Sequence, residues 1–312
     1  MKEIKIFSGK SYPELAKKVC RRLGISLSPL KIKGYANGCF EVILEENVCN
    51  QMVFLIQTSL PDTCYLHENL WELFQMISAA LNSGAKEVIV VMPYVSYSRS
   101  DKIYTPGMSI SGDLLVGFLE TAGMRRFIGI DFHSKEFRKF FSETTKLYHL
   151  SAMSLIAEFL KKRNLENTIL LPADEGILKS TAILSGKLNI PIGTVKKTRI
   201  SDTEVKIEKI NGEVTGKNVI LLDDEISPLA TTVRTLGKEL EKRGANNLTV
   251  AVTHASIFQK TIRNLQKLTI LKEFITTDTI PITRTAREFL PLKVLSIAGL
   301  LAKTIRNISE EN

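Results

Sequence analysis

The chain has 312 residues, 44% of them hydrophobic, and 42 Lys and Arg against 33 Asp and Glu give it a net charge of +9. That length is generous for one core and natural for two, and no apolar run reaches the roughly 18–20 residues that span a bilayer. The basic balance suits a phosphorylated small molecule or nucleic acid, yet no Arg-rich tail, zinc-finger spacing or aromatic-basic RNA motif supports the latter.

The N-terminus, Met1-Lys2-Glu3-Ile4-Lys5-Ile6-Phe7, alternates like a strand and lacks a signal-peptide apolar block, so a cytoplasmic protein is expected. After the strand over residues 3–8 and a turn at Gly9, Ser11-Tyr12-Pro13-Glu14 reads as a capping box with proline in the first turn. Leu15, Val19 and Leu23 share the face of a helix that Gly24 stops. Strands are expected over 40–44 and 52–57, a helix over 69–81 ending near Gly84, a strand over 87–92, a helix over 114–121 and a strand over 126–131. Cys20, Cys39, Cys49 and Cys64 form no CxxC pair, so reduced and mostly buried thiols are expected.

A second cycle starts near Leu150. Ser151 is placed to cap a helix through Lys162, with Met153, Ile156, Ala157 and Leu160 facing inward. Strands follow over 168–171, 192–195, 219–222 and 248–253, with helices between them. Strands alternating with helices predict an α/β fold of parallel sheets. The halves look like variations on one plan, with residues 1–147 in one domain and 148–312 in the other. The alternation around Asn211-Gly212 predicts a hairpin with a type I′ turn there. The charged segment before it, Lys196-Lys197-Thr198-Arg199, reads as a loop, either an ordinary exposed one, as the segment taken alone favours, or a mobile lid that brings cations to a phosphate.

Three apolar runs end in chemistry: Ile128-Gly129-Ile130 leads to Asp131 and His133, Leu170-Leu171-Pro172 to Asp174 and Glu175, and Ile220-Leu221-Leu222 to Asp223, Asp224 and Glu225. Such runs read as strands covered on both faces, and ligands of open α/β sheets lie beyond their carboxyl ends. Carboxylates there suit Mg²⁺ and a sugar or nucleotide phosphate.

Further landmarks are Ser8-Gly9 with Pro13-Glu14-Leu15-Ala16, Tyr35-Ala36-Asn37-Gly38 with Glu46-Asn47-Val48, and Met92-Pro93-Tyr94 with Tyr97-Ser98-Arg99-Ser100-Asp101-Lys102. Asp131-Phe132-His133-Ser134 with Phe140-Phe141, and then Asp278-Thr279-Ile280-Pro281, complete the series. Collinear over essentially the whole chain, these resemble the ribose-phosphate pyrophosphokinase (phosphoribosyl pyrophosphate synthase) family. The resemblance implies two phosphoribosyltransferase-like domains, each a largely parallel sheet flanked by helices. It implies transfer of diphosphate from ATP to the C1 hydroxyl of ribose 5-phosphate, with Mg²⁺, in a homo-oligomer (a dimer or hexamer), and no nucleic-acid or membrane partner. It implies Mg²⁺ at His133 and Asp174, and ATP at Tyr35, Asn37, Gly38, Cys39, Arg99, Ser100 and Asp101. Lys197 and Arg199 match the cations of the family's catalytic loop. Asp223, Asp224, Ser227, Ala230 and Thr231 match its ribose-5-phosphate loop.

The chain departs from the family pattern in that loop, where Pro228, Leu229 and Ala230 replace donor, small or glycine residues, and at Cys39, where the family has glutamate. Losing one or two charge-assisted donors corresponds to about 2–5 kcal/mol of ribose-5-phosphate binding. The alternative this opens is a weakly active or non-catalytic homologue that binds nucleotide or regulates an active synthase.

Overall fold

The structure, a computed structural model, describes residues 4–59, 65–201 and 204–311, with the side chains of Arg199 and Ser201 outside the described set. It divides into two compact units, one running up to Leu150 and taking in the residues from Ile297 onward, the other Ser151–Ser296.

The first unit runs β1 (Ile4–Ser8), α1 (Pro13–Leu23), β2 (Leu30–Gly34), β3 (Phe40–Leu44), β4 (Met52–Ile56), α2 (Leu66–Asn82), β5 (Glu87–Met92), α3 (Ser111–Thr121), β6 (Arg126–Ile130) and β7 (Lys146–Leu150). β1, β4, β5, β6 and β7 lie in that order in one parallel sheet. β4 is buried at every position, as a parallel strand covered on both faces must be. β2 and β3 form a separate antiparallel hairpin.

The second unit runs α4 (Met153–Leu160), β8 (Thr168–Pro172), α5 (Leu178–Leu188), β9 (Thr194–Ser201), β10 (Glu204–Asn211), β11 (Asn218–Ile226), α6 (Thr231–Lys242), β12 (Asn247–Ala255), α7 (Gln259–Leu265), β13 (Leu271–Thr277), α8 (Arg284–Phe289) and β14 (Leu292–Leu295). Its parallel sheet has the order β8, β11, β12, β13, β14, the plan of the first sheet again. β9 and β10 pair antiparallel outside it.

Several expectations change on contact with the fold. The β9–β10 hairpin turns between Ser201 and Glu204, where residues 202–203 lie outside the described set. Asn211-Gly212 is instead the exit from β10: Asn211 pairs with Thr194, and Gly212 takes φ +110° to leave the strand. Residues 192–193 precede β9, and Ile192 makes only an isolated parallel bridge to Leu170.

The capping box at α1 does not form. Tyr12 is the N-cap without a side-chain cap, while Ser11 turns inward to donate to Gln57 Oε1 and to accept from Thr58 N at 3.0 Å. A buried amide outcompetes the helix end for that hydroxyl. Pro13 in the first turn and Gly24 at φ +75° act as expected. Ser151 Oγ accepts from Met153 N at 3.2 Å, but α4 ends at Leu160. Cys20 is buried, and burial pushes its thiol up to about 11. Cys39 and Cys49 are exposed, on a hairpin turn and a loop with no core to cover them, and Cys64 lies outside the described residues.

The last helix, α9 (Ala298–Glu310), belongs to the first unit rather than to the domain that precedes it in sequence, because its apolar face, with Leu301, Ile305 and Ile308 buried, packs on α1. Beyond it Glu311 reaches Arg126 at 2.6 Å, Lys146 at 2.7 Å and the Tyr148 hydroxyl at 2.8 Å.

Candidate active site

In the second unit β8 and β11 are hydrogen-bonded neighbours in register Leu222 to Pro172. This sets Asp174 beside Asp223 and Asp224 at the carboxyl edge of the sheet. Asp174 Oδ1 accepts from Gly176 N at 2.9 Å and Ile177 N at 3.3 Å, which fixes the carboxylate. Its other oxygen lies 3.7 Å from Lys197 Nζ. Lys197 has an 18% exposed side chain, whereas Lys196 on the opposite face of β9 is 69% exposed. Alternation along the strand thus aims one lysine at the edge and the other at solvent. Arg199 shares the Lys197 face by position and pairs in register with Val205; its side chain lies outside the described set.

Asp223 is 6% exposed and accepts from Asp224 N at 2.9 Å. Burial first, then Asp224, then Asp174 push its carboxyl well above the usual carboxylate range, against an opposing pull from Lys197. Asp174, Asp223 and Asp224 therefore share this edge with the Lys197 ammonium group. Crowded carboxylates favour a nearby positive charge, which Lys197 supplies here.

Beyond Ile226 the chain makes a tight turn. Ala230 N donates to Ser227 O at 2.9 Å, which puts Pro228 at a turn corner whose φ proline already satisfies. The missing N–H of Pro228 is not needed there. Ala230 follows at φ +49°, and α6 begins at Thr231 with no side-chain cap. The first N–H groups of that helix are left for another acceptor, at its positive end. Thr231 is 5% exposed. Ala230 has its N–H committed to the turn, so the donors that remain are the helix-start N–H groups, the Thr231 and Ser227 hydroxyls, and Leu229 N–H. The loop is held from beneath: Thr261 Oγ1 of α7 donates to Pro228 O at 2.6 Å and Asn264 Nδ2 to Leu229 O at 2.8 Å. Sequence reasoning passed over both residues, since neither sits in a motif and only the tertiary fold brings α7 under this turn.

In the first unit Tyr35, Asn37, Gly38 and Cys39 form the β2–β3 turn. Tyr35 N donates to Cys39 O at 2.8 Å, Asn37 Oδ1 accepts from Cys39 N at 3.0 Å, and Gly38 takes φ +86°. The Tyr35 hydroxyl donates to Glu41 at 2.5 Å, and Lys33 lies over its ring. Arg99 ends a 3₁₀ turn over Ser96–Arg99 that is stitched to the end of β4: Tyr94 N donates to Thr58 Oγ1 and Ser96 N to Ser59 Oγ. Ser100 spends its hydroxyl on Ser111 N at 3.0 Å, at the start of α3. Asp101 is 8% exposed, and its Oδ1 has no hydrogen-bond partner among the described residues.

His133 is exposed on the loop after β6. Asp131, at φ +36°, turns the chain there, and Phe132 folds back onto the strand, where a Cβ on Gly129 would lie 2.3 Å from its ring. Phe132 then packs edge-on against Phe137 at 4.9 Å, anchoring the loop that carries the histidine. The described residues contain no group of three or more His, Cys, Asp or Glu able to hold a metal. Magnesium does not need one, because it is commonly held by one or two carboxylates together with substrate phosphates and water.

The N-terminal domain of ribose phosphate pyrophosphokinase matches residues 4–123, and the phosphoribosyl synthetase-associated domain matches residues 181–312. A putative ribose-phosphate pyrophosphokinase of Streptomyces coelicolor is 34% identical over 308 residues, covering 99% of this chain and 95% of the relative. A ribose-phosphate pyrophosphokinase of Corynebacterium efficiens is 33% identical over 313 residues, covering 99% and 94%. The crystal structure of phosphoribosylpyrophosphate synthetase from Mycobacterium smegmatis superposes with a TM-score of 0.90 at 29% identity over 100% of both chains. With both halves matched by the family's domains and relatives aligned end to end, the chain belongs to the ribose-phosphate pyrophosphokinase family.

Proposed function

We propose that the protein transfers the β,γ-diphosphoryl group of ATP to the C1 hydroxyl of ribose 5-phosphate, giving phosphoribosyl pyrophosphate and AMP. The observation that carries this reading is the sheet edge of the second unit, where Asp223 and Asp224 lead through a tight turn into the uncapped start of α6. A sugar phosphate needs both parts. Carboxylates accept hydrogen bonds from ribose hydroxyls, and helix-start N–H groups with the Thr231 hydroxyl donate to the 5-phosphate.

In this reading Lys197 swings from Asp174 to the transferring diphosphoryl group and offsets the charge that develops as the C1 oxygen attacks the β-phosphorus and AMP leaves. Arg199 assists by its place on the same strand face. In the first unit, Arg99 holds ATP phosphates with a planar, permanent cation. The turn of Tyr35, Asn37, Gly38 and Cys39, with Ser100 and Asp101, serves the nucleoside. Asp174 and His133 are proposed as magnesium ligands. When bound, Mg²⁺ supplies further neutralisation of phosphate charge.

Assembly into a homo-oligomer belongs to the same proposal. Its support is an apolar groove in the first unit lined by His67, Leu70, Trp71, Phe74, Leu114 and Phe118, in which Trp71 is 58% exposed. No helix among the described residues is long and apolar enough to cross a membrane.

The test is AMP release that depends strictly on ribose 5-phosphate and Mg²⁺. Lys197→Ala is expected to lower kcat about 100- to 1000-fold, as removal of one transition-state donor does. A folded wild-type sample without ribose-5-phosphate-dependent turnover would remove the reading.

A further inference from the structure

A phosphate loop built with a proline and without glycine has to hold its backbone in shape by other means. Pro228 offers no N–H, and Ala230 sits at φ +49°, in the left-handed region that glycine would take freely. The structure supplies the missing restraint from α7. Thr261 and Asn264 stand one helical turn apart, and their side chains bind two consecutive carbonyls of the loop, Pro228 O at 2.6 Å and Leu229 O at 2.8 Å. Both are buried, at 0% and 8% exposure, so these bonds do not compete with solvent on equal terms.

The Thr261 hydroxyl has a single proton. Ser256 O lies at 3.2 Å and Pro228 O at 2.6 Å, so the proton goes to the loop, while the same oxygen accepts from Phe258 N at 3.1 Å. The hydroxyl thereby ties the entry of α7 to the turn before α6.

In a trans peptide the C=O and N–H point to opposite sides. Drawing Pro228 O toward α7 turns Leu229 N–H away from α7, and no acceptor among the described residues takes it. Drawing Leu229 O toward α7 orients the next peptide so that Ala230 N–H reaches Ser227 O and closes the turn. Leu229 N–H and the unpaired N–H groups at the start of α6 are then left as donors in one short stretch of chain.

We propose that Thr261 and Asn264 are positioning residues for sugar-phosphate recognition, fixing two loop carbonyls so that the loop's N–H groups are presented to the anion. The assignment rests on the reading of residues 227–231 as the ribose-5-phosphate loop. It predicts that phosphate affinity depends on side chains that never touch the ligand.

The experiment uses the full chain with Thr261→Val, which keeps the shape and removes the hydroxyl, Thr261→Ser, which restores it, and Asn264→Leu. Asn264→Asp serves in addition, since it replaces the donor with an acceptor opposite Leu229 O and covers the case in which the leucine variant does not fold. Ligand-free thermal unfolding selects the folded variants. In these, Thr261→Val and Asn264→Leu are expected to raise KM for ribose 5-phosphate about 3- to 10-fold each, as loss of one buried hydrogen bond allows. KM for ATP and kcat at saturating ribose 5-phosphate are expected to stay within about twofold, because the bonds lost lie in the ground-state binding of one substrate. Thr261→Ser is expected to match wild type. Equal rises in both KM values, or no rise in folded variants, would overturn the proposal. Titration with inorganic phosphate separates it from the activity itself. If wild type shows no turnover, weakened phosphate binding in Thr261→Val and Asn264→Leu still upholds the clamp, and unchanged binding, or none in wild type, overturns it.

Discussion

Asp223 is a buried carboxylate at the sheet edge of the second unit. It is buried beside Asp224 and near Asp174, and these surroundings raise its pKa despite Lys197. An unfolded aspartate titrates near about 3.9. Between that value and the raised folded one, the native chain holds a proton that the unfolded chain has released. Stability contributed by this group is therefore full below the unfolded value and falls as pH rises through the folded one. Asp223→Asn removes the effect. Urea midpoints of the ligand-free protein are expected to fall with rising pH across that window in wild type relative to the variant, and parallel profiles would contradict the assignment. The fold thus favours the protonated form of a carboxyl that the proposed function would use to accept hydrogen bonds from ribose hydroxyls. Asp223 and Asp224 were legible in sequence because an apolar run delivered them to a strand end. The direction of the Asp223 shift was not, since it depends first on how deeply the fold buries the carboxyl.

At the scale of elements, α9 shows how a helix can belong to a unit far from it in sequence. Its pattern alone marks an amphipathic helix, and nothing in the pattern names the surface it covers. In the fold, Leu301, Ile305 and Ile308 are buried where α9 packs on α1, and Glu311 just beyond it bonds to Arg126, Lys146 and Tyr148. Burial of three such side chains is worth about 1.5–3 kcal/mol each, which together rivals the ~5–15 kcal/mol stability of a whole domain. Deletion of residues 298–312 is expected to unfold the first unit at the temperature where the second remains folded. Calorimetry and limited proteolysis would show an early transition and a surviving fragment from the second unit, and an unchanged melting profile would refute this. The hairpin of β9 and β10 teaches the converse. Asn-Gly was the strongest local turn signal in that stretch, yet Gly212 spends its positive φ on leaving the strand, and the chain reverses between Ser201 and Glu204.

At the scale of the molecule, both units repeat one five-stranded parallel order, and each presents loops at the carboxyl ends of its strands. The groove around Trp71 and Phe118 leaves large apolar side chains exposed, and the proposed assembly would cover them. Trp71→Glu is expected to shift the mass in light scattering toward the single chain. A wild-type protein that is monomeric at all concentrations would exclude the oligomer, and a variant that assembles normally would place its interface elsewhere.

Periodicity and strand-end chemistry, read from the sequence alone, were enough to determine the α/β class, most of the parallel strands, and the delivery of Asp174 and Asp223 to strand ends, whereas Thr231 was singled out only by the family resemblance. These features are local: a buried parallel strand must be apolar throughout, and the residue after it must lie at the sheet edge. Tertiary structure alone decided that Lys197 faces Asp174, that Ser11 serves Gln57 rather than its own helix, that α9 joins the first unit, and that Thr261 and Asn264 grip the loop before α6. Each of these is a contact between residues distant in sequence, chosen by competition for buried partners, and no local pattern encodes which partner wins.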